Sequence, residues 1–156
     1  MVRFDLPDDV IRSARAFVQE VDMLGLQPQG AFWASDHDTG IWRFHLATVL
    51  ANVHSLQVLY GLLRERFPDW ELPGGVRLDE VSIDGITEQP FFQIAREIGT
   101  GRDRIVRVQD LFAGGRYWDA VVYYADPRRP TRAQAQEIAR VFTERVRARA
   151  AAAPAE

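Results

Sequence analysis

Apolar positions near the amino terminus recur at helical spacing: Val10, Ala14, Phe17, Val18, Val21 and Leu24 would share one face. Asp5-Leu-Pro-Asp8-Asp9 precedes them with acids suited to the positive end of a helix dipole, and Gly25 followed by Pro28 offers a stop. The spacing predicts a helix over 6–24. From Gln29 to Ala47 the period falls to two, interrupted by Asp36-His37-Asp38-Thr39-Gly40, which carries the Asx and glycine chemistry of a hairpin turn. Pairing Asp36 with Ile41 places Trp33, Trp42, Phe44 and Leu46 on one face. Phe32, Ala34, Arg43 and His45 then share the other, which is a mixed face rather than a plainly solvated one.

Thr48 to Val53 is ambiguous. Leu56, Leu59, Leu63 and Phe67 predict a second helix, starting near Ser55 and stopping at Pro68. Val76 to Ile83 reads as a strand whose alternation slips near Asp79-Glu80, as at a bulge. Thr87-Glu-Gln-Pro90 opens a short helix that buries Phe91, Ile94, Ala95 and Ile98 and ends at Gly99. Arg104–Phe112 and Arg116–Ala125 flank Gly114-Gly115 as a hairpin, and Thr131-Arg-Ala-Gln134 is a capping box opening a last helix on Ile138, Val141, Phe142 and Val146.

The order α-β-β-α-β-α-β-β-α contains runs of strands, so the expected class is α+β. The expectation is one domain over 1–150 with a frayed alanine-rich tail at 151–156. Its sheet would be mostly antiparallel, with about five strands as two hairpins plus one strand, packed with about four helices. Tyr117 to Tyr124 is apolar on both faces and belongs inside that sheet.

Composition narrows the chemistry. The 156 residues are 47% hydrophobic and 26% charged, an ordinary globular balance, but there is no cysteine and all 19 bases are arginine. That excludes thiol nucleophiles, disulfides, thiolate metal sites, Schiff bases and a phosphate-loop lysine. No run reaches the roughly 18 apolar residues of a membrane span, and the amino terminus lacks a signal-peptide core. No membrane association is expected, and the location is read as cytoplasmic. Arginine in place of lysine, with abundant alanine, points to a GC-rich bacterial genome.

Among possible catalytic groups, Asp110 and Asp119 stand out, because a symmetric even loop around Gly114-Gly115 sets them opposite each other on one face. Such a pair could serve general acid/base work or hold a divalent ion with Tyr117 nearby, or be neutralised structurally by an arginine such as Arg43. Asp36-His37-Asp38 has metal-ligand types, but turn chemistry explains it and nothing in the spacing supplies a third or fourth ligand. His37, His45 and His54 do not form the helical pair of a zinc protease. His45, near Arg43 and Phe32, is the best single candidate for a general base. Asp79, Glu80, Asp84 and Glu88 read as a solvated acidic edge, Gly99-Thr-Gly101 is no dinucleotide fingerprint, and no serine sits in a Gly-x-Ser-x-Gly elbow. No cofactor and no metal are expected.

Charge is uneven: residues 1–126 hold 12 arginines and 19 acids, residues 127–156 hold 7 arginines and 3 acids. The expectation is a small non-catalytic protein–protein interaction module of the adaptor, inhibitor, immunity or chaperone kind, forming a homodimer or holding a protein partner. Arg43, Tyr117, Trp118 and Tyr124 are its candidate binding residues, as Tyr, Trp and Arg dominate interface hot spots. The alternative is a small-molecule-binding protein or minor hydrolase that brings His45, Arg43, Asp110 and Asp119 into one pocket. Nucleic-acid binding through Arg145, Arg147 and Arg149 ranks lower, because the whole chain is acidic and carries no recognisable motif.

Overall fold

The computed structural model describes residues 2–101 and 104–152. Its strands are β1 (Gly30–Asp36), β2 (Trp42–Ala47), β3 (Val81–Asp84), β4 (Val106–Ala113) and β5 (Arg116–Ala125). They form one mixed five-stranded sheet in the order β3-β2-β1-β5-β4. The helices are α1 (Asp8–Ser13), α2 (Arg15–Met23), α3 (Leu50–Val53), α4 (Leu56–Arg66), α5 (Phe91–Glu97) and α6 (Arg132–Ala152). The class is α+β, and the buried apolar side chains make one continuous cluster. Among the described residues no helix is long and apolar enough to cross a membrane. The tail expected at 151–156 lies outside the described residues from 153 onward, while 151 and 152 continue α6.

Alternation decides the two sides of the sheet. β1 and β2 pair antiparallel with Ser35 opposite Trp42 and Gly30 opposite Ala47, the register that the turn chemistry implies. Trp33 and Phe44 therefore point to one side, where Phe44 meets Phe17 of α2 at 5.3 Å edge-on, Trp33 at 5.1 Å and Tyr123 of β5 at 5.8 Å. The Tyr123 hydroxyl donates to the carbonyl of Ile11 in α1. Burial there pushes the Tyr123 phenol up to about 12. Helices α1 and α2 thus line this side, and Glu20 of α2 accepts hydrogen bonds from Arg66 of α4 (3.1 Å) and Arg149 of α6 (2.7 Å), tying three helices together. On the other side Phe91 of α5 stacks on Phe32 at 6.4 Å. It comes so close to the backbone that a Cβ on Gly30 would fall 2.5 Å from its ring, which leaves glycine as the residue that fits.

Three differences from the pattern have local causes. The helix expected over 6–24 divides at Ala14, where the turn Pro73–Gly75 presses in; Gly74 has φ +78°, and a Cβ there would stand 2.0 Å from the Ser13 carbonyl oxygen. The strand expected over 76–83 is shorter, since Leu78–Glu80 winds as a 3-10 turn with the Glu80 carboxylate accepting the Arg77 N–H. Val81–Asp84 alone joins the sheet, parallel to β2 across the α3–α4 connection, while Arg77 makes an isolated bridge to Glu71. In β4 the ladder to β5 slips between Val108 and Leu111, so Gln109 and Asp110 form a bulge and Asp110 takes φ +56°. The caps follow the sequence: Ser55 accepts from the Val58 N–H, and Thr131 and Gln134 exchange reciprocal hydrogen bonds at the start of α6.

Candidate functional site

Two polar clusters lie on opposite sides of the sheet. The first sits at the end where the β1–β2 turn meets the β4 bulge. Asp36 consumes its own carboxylate in the turn, accepting from the Thr39 N–H (2.9 Å) and hydroxyl (3.1 Å), so the turn reading of Asp36-His37-Asp38 describes Asp36. His37 is turned elsewhere. Its backbone N–H donates to the Tyr117 carbonyl (2.9 Å), continuing the β1–β5 pairing and aiming the ring at β5. There Nε2 lies 3.0 Å from Asp119 Oδ1 and 3.6 Å from Asp110 Oδ1. The bulge spares the two aspartates the head-on opposition that a symmetric hairpin would impose, and the Asp110 N–H instead donates to Asp119 Oδ1 (3.1 Å). The group set between the pair is His37. Arg43 instead donates to the carbonyls of Asp79 (3.3 Å) and Val81 (3.4 Å).

The electrostatics follow. Hydrogen bonding to Asp119, reinforced by the charges of Asp119, Asp110 and Asp36, raises the His37 pKa above 6.5. Partial burial works to raise the Asp119 pKa, but hydrogen bonds from His37 and the Asp110 N–H outweigh it and hold the carboxyl below 3.8. The His37 contribution to stability is complete below about pH 6.5 and is lost as pH rises through its raised value. That of Asp119 is complete above about pH 3.8 and is lost as pH falls through its lowered value. The pair therefore acts at full strength between those two limits. In an NMR titration the His37 midpoint is expected above the ordinary histidine value and returns toward it in Asp119→Asn; an unmoved midpoint would show that the contact is not formed in solution.

The second cluster lies on the side that α5 partly covers. His45 is stacked flat on Phe32 (4.9 Å, 3° between planes) with Trp118 edge-on at 6.3 Å. Its Nδ1 meets Asp84 Oδ2 at 2.6 Å, and the Ser82 hydroxyl donates to Asp84 Oδ1 at 2.8 Å. The order Ser–Asp–His is not that of a nucleophile triad, because the serine proton points to the carboxylate rather than to the imidazole. His45 and Asp84 are both 7% exposed. The sheet separates this pair from Asp119: His45 is opposite Phe32, whereas Asp119 is opposite Ser35, three residues along β1 and on the other side. The residues proposed to share one pocket thus hold different partners in different places. The presumed acidic edge divides likewise, with Asp84 bound to His45 and Glu80 bound to Arg3 (2.8 Å).

Of the candidate binding residues, Tyr117 is 53% exposed, with its ring 5.1 Å from that of Phe112 (57% exposed). Trp118 is half-buried and its indole N–H donates to the Ala113 carbonyl (3.0 Å), while Tyr124 is buried. The arginines of α6 serve the helix and its neighbours: Arg140 pairs with Glu137 and Glu144, Arg145 donates to the Met23 carbonyl (3.2 Å) and Arg149 to Glu20. Sequence reasoning did not foresee a cavity of about 600 Å³ between Gln27, Gln29, Thr100, Tyr124, Asp126 and Arg128. Its walls come from three connections with no shared pattern. Arg128 is bidentate to Asp126 there, and Gln29 accepts from the Val49 N–H. Compared with known proteins, the chain matches no family model, no curated protein and no solved structure.

Proposed function

We propose that the chain is a non-catalytic protein-interaction module whose contact surface is the aromatic end of the β4–β5 hairpin. The observation that carries this reading is the pair Phe112 and Tyr117, both more than half exposed, with Tyr117 also stacked on His37 (6.1 Å). Large rings cost apolar hydration when left in water, and together they supply the anchor that a partner's pocket can bury. Edge strand β4 runs beside them, and its bulge blunts ordinary edge-to-edge pairing, so recognition falls to side chains rather than to an added strand. The Asp110–Asp119 pair and Arg116 form a polar rim. The internal pairing of His45 with Asp84 and of α6 arginines with helix acids also favours binding over acid/base chemistry or nucleic-acid contact.

Native mass spectrometry of the protein purified gently from its own host tests the proposal. A complex is expected, with a second copy or with another protein chain. Phe112→Ser with Tyr117→Ser should weaken it by about 30-fold or more, the effect of losing about 2 kcal/mol at a hot spot, while the circular dichroism spectrum stays unchanged. A monomer in both proteins, or a complex indifferent to both substitutions, overturns it.

A further inference from the structure

We propose that His37, Asp110 and Asp119 form a binding site for a divalent transition-metal ion of the zinc class. The inference is independent of the interaction reading and rests on ligand geometry. One nitrogen and two carboxylate oxygens, drawn from the β1–β2 turn, the β4 bulge and β5, all lie within 4.8 Å of one another. Metal–ligand bonds of about 2.0–2.2 Å in tetrahedral array place donor atoms about 3.4 Å apart. The distances from His37 Nε2, 3.0 Å to Asp119 and 3.6 Å to Asp110, bracket that spacing. The imidazole matters to the choice of metal. Magnesium and calcium take oxygen ligands, whereas an imidazole with two carboxylates suits zinc, cobalt, nickel or manganese.

The surrounding structure adds two supports. The Asp110 N–H donates to the Asp119 oxygen that would bind the ion, and the His37 N–H is fixed to the Tyr117 carbonyl, so two of the three ligands are oriented by the backbone. Side-chain exposures of 39% for His37, 76% for Asp110 and 37% for Asp119 leave the outer coordination position to water or to a group from outside the chain. In the metal-free protein the His37 ring occupies the space between the two carboxylates. The ion takes that place: any proton on Nε2 passes to buffer, and the Nε2 lone pair coordinates the metal.

Isothermal titration calorimetry of chelator-stripped protein with zinc chloride tests the site. One ion per chain is expected at pH 7.5. Asp110→Asn and His37→Ala should each weaken binding at least tenfold, and magnesium chloride should give no heat. Asp110 is well exposed, so its variant keeps the fold, and NMR of the wild-type protein supplies an independent reading: zinc should shift the His37 ring signals and leave those of His45 in place. Absence of zinc binding, or binding unchanged in both variants with His37 unshifted, overturns the proposal.

Discussion

Phe44→Ala lowers the stability of the fold by about 3–5 kcal/mol, the range for removing a fully buried aromatic ring from a packed core. Phe44 has no exposed surface and touches Phe17, Trp33 and Tyr123, so one ring connects β2 to α2, β1 and β5. The cost has two parts, the apolar area returned to water on unfolding and the cavity that neighbours cannot close. Trp33 is held edge-on by the same ring, and Tyr123 is fixed through its hydroxyl to the Ile11 carbonyl, so neither is free to move into the gap. Phe44→Leu fills most of the volume and should cost less than half as much. Urea unfolding measures both: the midpoint falls in that order with an unchanged slope. A loss under about 1 kcal/mol for the alanine variant would place the core elsewhere.

Glu80→Ala is expected to cost about 3–5 kcal/mol as well, through charge rather than volume. Its side chain is 1% exposed and accepts from Arg3 Nε (2.8 Å), Arg3 Nη2 (3.3 Å) and the Arg77 N–H (3.3 Å). The Arg3 guanidinium in turn lies over the Trp33 ring at 5.5 Å, and Glu80 raises its pKa further. Without the carboxylate, the Arg3 guanidinium is left with the Trp33 ring face and the weaker attraction of Asp5 and Asp9. The Arg3 carbonyl accepts from the Trp42 N–H (2.8 Å), so release of the amino-terminal segment should appear as faster hydrogen exchange at Trp42. Removing both partners in Arg3→Ala/Glu80→Ala should cost less than the sum of the single losses. Additive losses would show that the pair is not coupled.

The parts of this fold that were legible in the sequence are those fixed by local chemistry. The β1–β2 register follows from period-two alternation plus an Asx turn, and the α6 boundary from a reciprocal cap, neither needing knowledge of distant residues. Candidate chemistry was legible only in pieces. Asp36-His37-Asp38 looks like a turn lacking further metal ligands, and Asp110 with Asp119 looks like an acid pair lacking a counter-charge; each supplies what the other lacks. The link between them is the Gln109–Asp110 bulge, one extra residue whose position depends on how β4 packs on β5 and leaves no compositional mark. Similarly, Asp79, Glu80 and Asp84 form a single acidic run in one dimension. A 3-10 turn then sends Glu80 to Arg3 and leaves Asp84 for His45, a separation set by long-range partners.

The position of β1 between β2 and β5 has a kinetic consequence. Its hairpin with β2 can close over a short turn, but its other edge waits for Tyr124 and its neighbours, far later in the sequence. Loop closure over that span makes folding slow relative to helical domains of equal length. Until β5 is synthesised, the nascent chain presents the unpaired backbone of Ala31-Phe32-Trp33-Ala34, an apolar edge able to pair with any other strand. Truncated products ending before Arg116 should therefore aggregate instead of accumulating as folded fragments.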